Sequence, residues 1–244
     1  MGMPHEMLPR FLEWERQLMR AEDPRVRVQA LMSVIQYLER FLEEQRAYPL
    51  TALMKAIVTA QYEGQRPLTE DEMMGMLVLL YVGGLDTVSS ALGWIFRHLA
   101  GDQVLQQRLR ANPELNLQAI DEFLRAYPVA QPHRKIKQDL EFHGVNMCKG
   151  DHVLLATFAA HRDPRAFANP HQVDIDRKSR TLTFAAGPHF CLGIHLAKRE
   201  LRTVVAAFLE RFNHIRIPPG EKSAFHTGGT WGFDRLVLEW DRVR

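Results

Sequence analysis

Residues 184–193 read Phe-Ala-Ala-Gly-Pro-His-Phe-Cys-Leu-Gly, and this stretch decides the interpretation of the whole chain. A turn at Gly187-Pro188 delivers Cys191 to the start of an amphipathic helix that the pattern predicts from Cys191 to Phe212. The unpaired N–H groups and the partial positive charge of a helix N-terminus favour a thiolate. Such a thiolate can be a nucleophile, a redox sensor or a metal ligand. The alternative is a small buried cysteine that only fills space at the helix entry.

A long apolar helix is predicted upstream of this stretch. Thr69-Glu70-Asp71-Glu72 forms a capping box, and the helical pattern behind it continues without a proline to about Ala100. Gly83-Gly84 interrupts its middle, and each glycine costs about 1 kcal/mol relative to alanine. This cost calls for a reason, either functional or simply a kink in a core helix whose polar residues bond to their own backbone.

The rest of the chain predicts shorter elements around these two helices. A short period-two pattern between His133 and Thr157, and again after Asn213, predicts small strands. The fold class is therefore mainly α with small β-sheets (α+β), in a single domain over residues 1–244. The other predicted helices are Phe11–Met19, Val26–Arg46, Leu50–Tyr62, Asp102–Ala111 and Glu114–Tyr127.

Composition excludes several classes of protein. The 244 residues carry 31 basic and 29 acidic side chains, a net charge of +2, so we expect no bulk attraction to nucleic acid or to a membrane surface. Two cysteines, Cys148 and Cys191, exclude a disulfide framework. The uncharged stretch Met73–Leu85 is too short to span a bilayer, and Met1–Arg20 has no apolar signal-peptide core. We expect a cytoplasmic protein.

The cysteine stretch resembles the haem-binding loop of the cytochrome P-450 family, whose pattern is Phe-x-x-Gly-x-x-x-Cys-x-Gly. Phe184, Gly187, Cys191 and Gly193 occupy the four fixed positions. The resemblance implies that Cys191 is the axial thiolate of haem b, pushing electron density onto iron to favour O–O cleavage. It also implies that Gly193 lets the helix approach the porphyrin and that Phe184 packs beside the sulfur. The fold would then be the C-terminal part of the P-450 fold.

A Glu-x-x-Arg sequence at Glu122 and Arg125 resembles a second family motif. Alone, two such residues one helical turn apart are more often a solvated ion pair. In the family the pair is completed by an arginine before the cysteine loop, and Arg177 fits that position. The resemblance implies a buried structural network of these three charges.

The segment Gly83-Gly84-Leu85-Asp86-Thr87 resembles the family's oxygen-binding segment, Gly-Gly-x-Asp-Thr. The resemblance gives the two glycines a purpose, because they would let the backbone approach a flat cofactor and dioxygen. Thr87 would relay protons through its hydroxyl, and Asp86 would do so as a carboxylate that reaches solvent.

Further roles follow from the same resemblance. Arg134 and His189 match positions that bind the haem propionates, although Arg134 could be an ordinary exposed strand residue. Four residues would line an apolar substrate pocket, with plain core packing as the alternative: Leu79, Val82, Val129 and Ala130.

The branch of the family is suggested by Val82–Val88, Glu141–Val145 and Lys149–Asp151, which resemble soluble bacterial members that hydroxylate camphor-like terpenoids. The implied reaction inserts one atom of O2 into a C–H bond of a small apolar, terpenoid substrate, with electrons from a ferredoxin. A basic patch for that ferredoxin, or merely a solvated helix face, is formed by Lys198, Arg199 and Arg202.

Two other patterns in the sequence do not support a function. His161-Arg162-Asp163 resembles a kinase catalytic loop, but Asn169 falls one residue late and no Asp-Phe-Gly follows. The sequence holds no His-Glu-x-x-His and no paired Cys-x-x-Cys, so it predicts no zinc site built from protein ligands alone.

The family members carry a large N-terminal portion that this sequence lacks. Three hypotheses follow: a truncated monooxygenase, a natural short form that remains an oxidoreductase with a second chain, or a non-catalytic haem-binding or interaction protein. The apolar surface that this portion covers in the family would be bare in the chain alone, and we expect self-association through it.

Overall fold

A computed structural model describes residues 1–178 and 181–243. These residues are mostly helical with small sheets, which confirms the predicted fold class. The helices are α1 (Leu8–Arg20), α2 (Pro24–Ala47), α3 (Ala52–Val58), α4 (Glu70–Leu99), α5 (Gln103–Ala111), α6 (Asn116–Ala126), α7 (Thr157–Ala160) and α8 (Ile194–Arg211).

The strands are short and pair antiparallel, two to a sheet: β1 with β2, β3 with β6, β4 with β5, β7 with β10 and β8 with β9. Their bounds are β1 (Gln61–Tyr62), β2 (Arg66–Pro67), β3 (His133–Lys135), β4 (Leu140–Phe142), β5 (Val145–Met147), β6 (His152–Leu154), β7 (Phe212–Arg216), β8 (Ala224–His226), β9 (Gly232–Arg235) and β10 (Glu239–Arg242).

The chain divides into two compact units, Met1–Asp86 and Thr87–Arg244. The single domain over residues 1–244 stays a prediction. In the first unit, aromatic side chains of α1 and α2 pack with the first half of α4. Tyr81 is buried there, its hydroxyl donating a hydrogen bond to the carbonyl of Phe11 at 2.7 Å.

Helix α4 begins at the predicted capping box. The backbone N–H of Thr69 donates to Glu72 Oε2 at 2.8 Å, and the N–H of Glu72 donates to Thr69 Oγ1 at 3.3 Å. The helix continues through Gly83-Gly84 without a break. By length and composition α4 could cross a membrane, a test that core helices of soluble proteins also pass.

The second unit packs the end of α4 with α5, α6 and α8 around a core that includes Ile95, Phe123 and Leu201. The start of α8 and both ends of α3 differ from the prediction. Helix α8 begins at Ile194, so Cys191 lies three residues before it, with Gly193 at the N-cap. Helix α3 is shorter than predicted because Thr51 caps its start and the chain turns into β1 after Val58.

Candidate functional site

The cysteine loop is a turn held by backbone hydrogen bonds. The N–H of Cys191 donates to the carbonyl of Phe184 at 2.9 Å, which closes the loop over seven residues of chain. Ala185 and Gly187 have φ of 60° and 68°, in the left-handed region that glycine adopts most easily. The hairpin-like closure fixes where the thiol of Cys191 points, and that side chain is half-buried.

The surroundings of Cys191 suit a large flat cofactor better than a bare metal ion. In the ranges 1–178 and 181–243, no cluster of three or more His, Cys, Asp or Glu could hold a metal. The donor set is therefore one soft sulfur, which would fit an iron whose remaining ligands a porphyrin supplies. A Cβ on Gly187 would meet nothing within 4 Å, and Phe190 and Leu192 are 53% and 82% exposed. The loop thus presents a thiol beside open, apolar surface.

The predicted charge network is assembled in the second unit. Arg125 Nε and Nη2 donate to the two carboxylate oxygens of Glu122 at 2.8 and 2.9 Å. Arg177 Nε donates to Glu122 Oε1 at 3.2 Å. Both Glu122 and Arg125 are buried, so neither charge is the solvated surface pair of the alternative interpretation.

Arg125 also ties together the chain segments that lead to the cysteine loop. Its guanidinium donates to the carbonyls of His161, Pro170 and Gln172 at 2.8, 2.9 and 3.0 Å. A buried guanidinium whose donors are all satisfied fixes three points of one stretch that has no helix or strand of its own. The network is therefore a frame for the irregular stretch before residue 184.

The glycine segment of α4 leaves its backbone accessible. Gly83 and Gly84 are exposed, and a Cβ on either would meet nothing within 4 Å. The segment can therefore accept a close neighbour on this side, as the resemblance implies. Thr87, the other predicted proton-relay residue, begins the second unit on the same helix.

Asp86 does not reach solvent itself, which corrects one expectation. Its side chain is 2% exposed and forms an ion pair and hydrogen bond with Arg20 of α1. The Arg20 side chain is 23% exposed, so the guanidinium that pairs with Asp86 is more accessible to water than the carboxylate itself.

Glu15 adds a second buried carboxylate to this pair. It lies on α1, and its Oε1 has no hydrogen-bond partner among the described residues. Burial, and then the charge of Asp86, raise the pKa of Glu15 to about 7, against the opposing effect of Arg20. Two buried carboxylates of the first unit thus lie within electrostatic range of Arg20.

The predicted haem-flanking and pocket residues lie on separate elements. Arg134 is half-buried on β3, its guanidinium donating to the carbonyl of His133, and His189 is exposed in the short 3₁₀ turn Gly187–His189. Leu79 is exposed and Val82 half-buried on α4. In the second unit, Val129 packs into the core and Ala130 pairs with Thr230.

The predicted basic patch is only partly available as a charged surface. Lys198 forms an ion pair with Asp121 at 2.6 Å and lies over the ring of Phe184 at 5.7 Å. Arg199 and Arg202 are exposed on α8. Lys198 therefore contributes to the packing of the cysteine loop as well as to surface charge.

The sequence profile of the family described as Cytochrome P450 matches residues 8–231. The chain belongs to the cytochrome P450 family. The probable cytochrome P450 127A1 of Sinorhizobium fredii is 37% identical over 212 residues, 86% of this chain and 51% of that protein. Cytochrome P450(BM-1) of Priestia megaterium is 37% identical over 184 residues, 74% of this chain and 45% of that protein.

Solved P450 structures agree with this assignment. Substrate-free CYP109E1 from Bacillus megaterium superposes with a TM-score of 0.88 at 26% identity, covering 100% of this chain and 66% of that one. The LnmA cytochrome P450 hydroxylase of Streptomyces atroolivaceus superposes with a TM-score of 0.85 at 35% identity, covering 98% of this chain and 63% of that one. The chain spans about half the length of the curated relatives that it matches.

Sequence reasoning missed three residues of the site. Glu15 and Arg20 lie in α1 without any motif, and only their charge on an otherwise amphipathic helix marks them. In the sequence, His161 is marked only as part of the kinase-like His161-Arg162-Asp163. No signal pairs it with Leu182, 21 residues later.

Proposed function

We propose that this chain carries the cysteine side of a P450 monooxygenase and binds haem b through Cys191. The observation that carries the proposal is the closed loop around a lone, half-buried thiol in a chain of this family. When bound, haem supplies the activation of O2 and the transfer of one oxygen atom to a C–H bond.

The residues of the chain prepare the site for that group. The loop from Phe184 to Cys191 orients the thiolate, and Gly187 and Gly193 leave room beside it. The Glu122–Arg125–Arg177 network holds the preceding loops in place. We assign propionate binding to Arg134 and His189, whose positive or hydrogen-bonding groups are accessible on their elements.

Protons are supplied from α4. Thr87 holds a proton at its hydroxyl, and Asp86 accepts or releases one at its carboxylate, in exchange with solvent along Arg20. Because Asp86 is buried and ion-paired, its carboxylate must first loosen its hold on Arg20. Proton delivery then depends on the charge balance among Asp86, Arg20 and Glu15.

For the substrate and partners, we propose a small apolar molecule of the terpenoid kind, with electrons from a ferredoxin in the cytoplasm. Leu79 and Val82 offer an apolar surface on α4 for the substrate. Arg199 and Arg202 offer exposed positive charge for an acidic ferredoxin, with Lys198 held partly by Asp121. We propose no nucleic-acid or membrane partner.

The test is the absorption spectrum of the haem-loaded chain after reduction and addition of carbon monoxide. We expect a thiolate-type Soret shift in the wild type and none in Cys191→Ser, since the serine hydroxyl is a poor iron ligand. Cys148→Ser, which changes the other, exposed cysteine, serves as the matched control and should retain the shift. A shift that survives Cys191→Ser would exclude this residue as the ligand.

The alternative that we propose is a haem-binding or interaction role without turnover. The exposed apolar side chains of Phe190 and Leu192 beside the thiol favour it, because they offer a surface for a partner. Thiolate-type haem binding combined with NADH consumption but no product, in the presence of ferredoxin and its reductase, would favour this alternative.

A further inference from the structure

His161 joins the buried charge network to the chain that enters the cysteine loop. It follows α7, is fully buried, and packs edge-on against Phe167 with ring centroids 6.0 Å apart. Its carbonyl accepts from Arg125 Nη1 at 2.8 Å. Its ring Nε2 accepts from the backbone N–H of Leu182 at 2.7 Å.

The partner on Leu182 fixes the state of the ring. A backbone N–H can only donate, so Nε2 must carry a lone pair and the imidazole must be neutral with its proton on Nδ1. The hydroxyl of Thr181 lies 3.2 Å from the same nitrogen. That hydroxyl has another acceptor, because Thr183 Oγ1 donates to the carbonyl of Leu124 at 2.7 Å and can accept from Thr181 at 2.7 Å. Leu182 is therefore the donor to His161.

This hydrogen bond sets the entry into the cysteine loop. Leu182 is two residues before Phe184, whose carbonyl closes the loop on the N–H of Cys191. The hydroxyl of Thr183 anchors the same segment to α6. The path from His161 to the thiol thus consists of two hydrogen bonds and a few residues of chain. A protonated ring would present an N–H to the N–H of Leu182 and would break the first of them.

The charges around His161 keep it neutral. Burial is the main cause that lowers its pKa to about 4, and the positive charges of Arg125 and Arg162 act in the same direction. Glu122 opposes them from α6, and among the described residues of the loop side the ring meets the N–H of Leu182 and the hydroxyl of Thr181. Nδ1, which carries the proton of the neutral ring, is buried and has no hydrogen-bond partner within the described ranges. A second ring proton would have to go to Nε2, where it would face the N–H of Leu182.

We propose that His161 is a positioning residue, which holds the cysteine loop in its ligating form only while its imidazole is neutral. Acidification then releases Leu182, loosens the loop and weakens thiolate ligation. The effect on ligation rests on the proposed role of Cys191, whereas the effect of His161 on the loop is independent of that role.

The first experiment needs no haem. Nitrogen NMR of the full chain, labelled at histidine, should show His161 protonated on Nδ1 alone at pH 7. Hydrogen exchange at the Leu182 amide should accelerate, after correction for intrinsic rates, as the pH falls from 6.5 towards 4. In His161→Gln, whose side-chain oxygen can accept without titrating, the amide should stay protected throughout.

The second experiment uses the haem-loaded chain and its reduced carbon monoxide spectrum. The thiolate-type band of the wild type should be lost over the same acidic range, and His161→Gln should retain it. His161→Leu, which leaves the Leu182 N–H without an acceptor, should retain haem about tenfold less well even at pH 7.5. His98→Gln is the control, because His98 also has a lowered pKa but bonds to Tyr127 instead of the loop.

The outcomes separate the two proposals. A proton on Nε2, or equal acid loss of Leu182 protection in the wild type and His161→Gln, would overturn the inference about His161. Absence of haem uptake with the expected NMR behaviour would count against Cys191 as a ligand and leave the loop inference standing. If His161→Leu fails to fold, the pH dependence of Leu182 protection in His161→Gln and wild type still decides whether His161 holds the loop.

Discussion

Glu15 is a buried carboxylic acid of the first unit, and its ionisation costs stability. Its carboxyl lies on α1 near the Arg20–Asp86 pair, and burial raises its pKa to about 7. A guanidinium neutralises only one of two carboxylates, so the second is ionised at a cost. Because its pKa is raised in the folded state, Glu15 favours folding below about pH 4.5, and that advantage is lost as the pH rises to about 7.

The variant Glu15→Gln should therefore change the pH dependence of stability. Relative to this variant, wild type should lose free energy of unfolding between pH 4.5 and 7 and then level off. The difference above pH 7 should be on the order of 2 kcal/mol in favour of the variant. Urea unfolding monitored by tryptophan fluorescence at pH 4.5, 6 and 8 measures it, since Trp14 is on the same helix.

Glu13→Gln is the matched control for that measurement. Glu13 lies on α1 but is exposed and pairs with Arg16, which lowers its pKa. The same substitution there should give no gain at pH 8. A parallel offset of the Glu15→Gln and wild-type curves at all pH values would show that Glu15 does not titrate in this range.

At the scale of elements, the start of α4 depends on a cap that the structure shows in full. Thr69 accepts from the N–H of Glu72, and Arg66 holds the Glu72 carboxylate that returns to the Thr69 N–H. The hydrogen bonds from Arg66 and the Thr69 N–H lower the pKa of Glu72 to about 2. The cap thus stays intact at all but extremely acidic pH.

Replacing Thr69 by alanine should lower the free energy of unfolding by about 1 kcal/mol, because one N–H at the helix start loses its acceptor. Urea unfolding at pH 7 measures the loss. Thr203→Ala, on the exposed face within α8, removes a similar hydroxyl without a cap and should be neutral or slightly stabilising. Equal losses in both variants would mean that the cap does not stabilise α4.

Elements with a strong local signal could be predicted from the sequence. The capping box located the start of α4, and the Gly-Pro turn located the cysteine loop. Glu122, Arg125 and Arg177 were predicted to meet because a family motif supplied their long-range pairing. Helix α8 begins later than predicted because amphipathic periodicity marks a helix face but not its first turn.

The rest of the site depends on contacts that are distant in sequence. Arg20 meets Asp86 across 66 residues, and His161 meets Leu182 across 21, with no motif linking either pair. The resemblance to the family's oxygen-binding segment predicted that Asp86 reaches solvent, whereas Asp86 is buried and pairs with Arg20 of α1. Burial of a charged group is set by which element packs over it, and periodicity within its own helix does not contain that information.

At the scale of the whole molecule, the exposed apolar surface next to the cysteine loop is the feature with the largest consequence. Leu192 and Leu196 are 82% and 62% exposed, and Phe190 lies beside them in sequence. Soluble monomers rarely leave such neighbouring apolar groups open to water. The chain spans about half the length of its curated relatives, so surface that is covered in them can be bare in the isolated chain.

We therefore expect the isolated chain to self-associate through this surface. Light scattering after gel filtration should give a mass that rises with concentration for the wild type. It should remain near the monomer value for Leu192→Ser combined with Leu196→Ser, because burying two leucines drives such association. Val104→Ser combined with Leu117→Ser removes two exposed apolar groups elsewhere in the second unit and should associate like the wild type. Equal masses for the two double variants would place the contact elsewhere. Added haem should reduce association only if it covers this same surface, so repeating the series with haem locates the cofactor relative to Leu192.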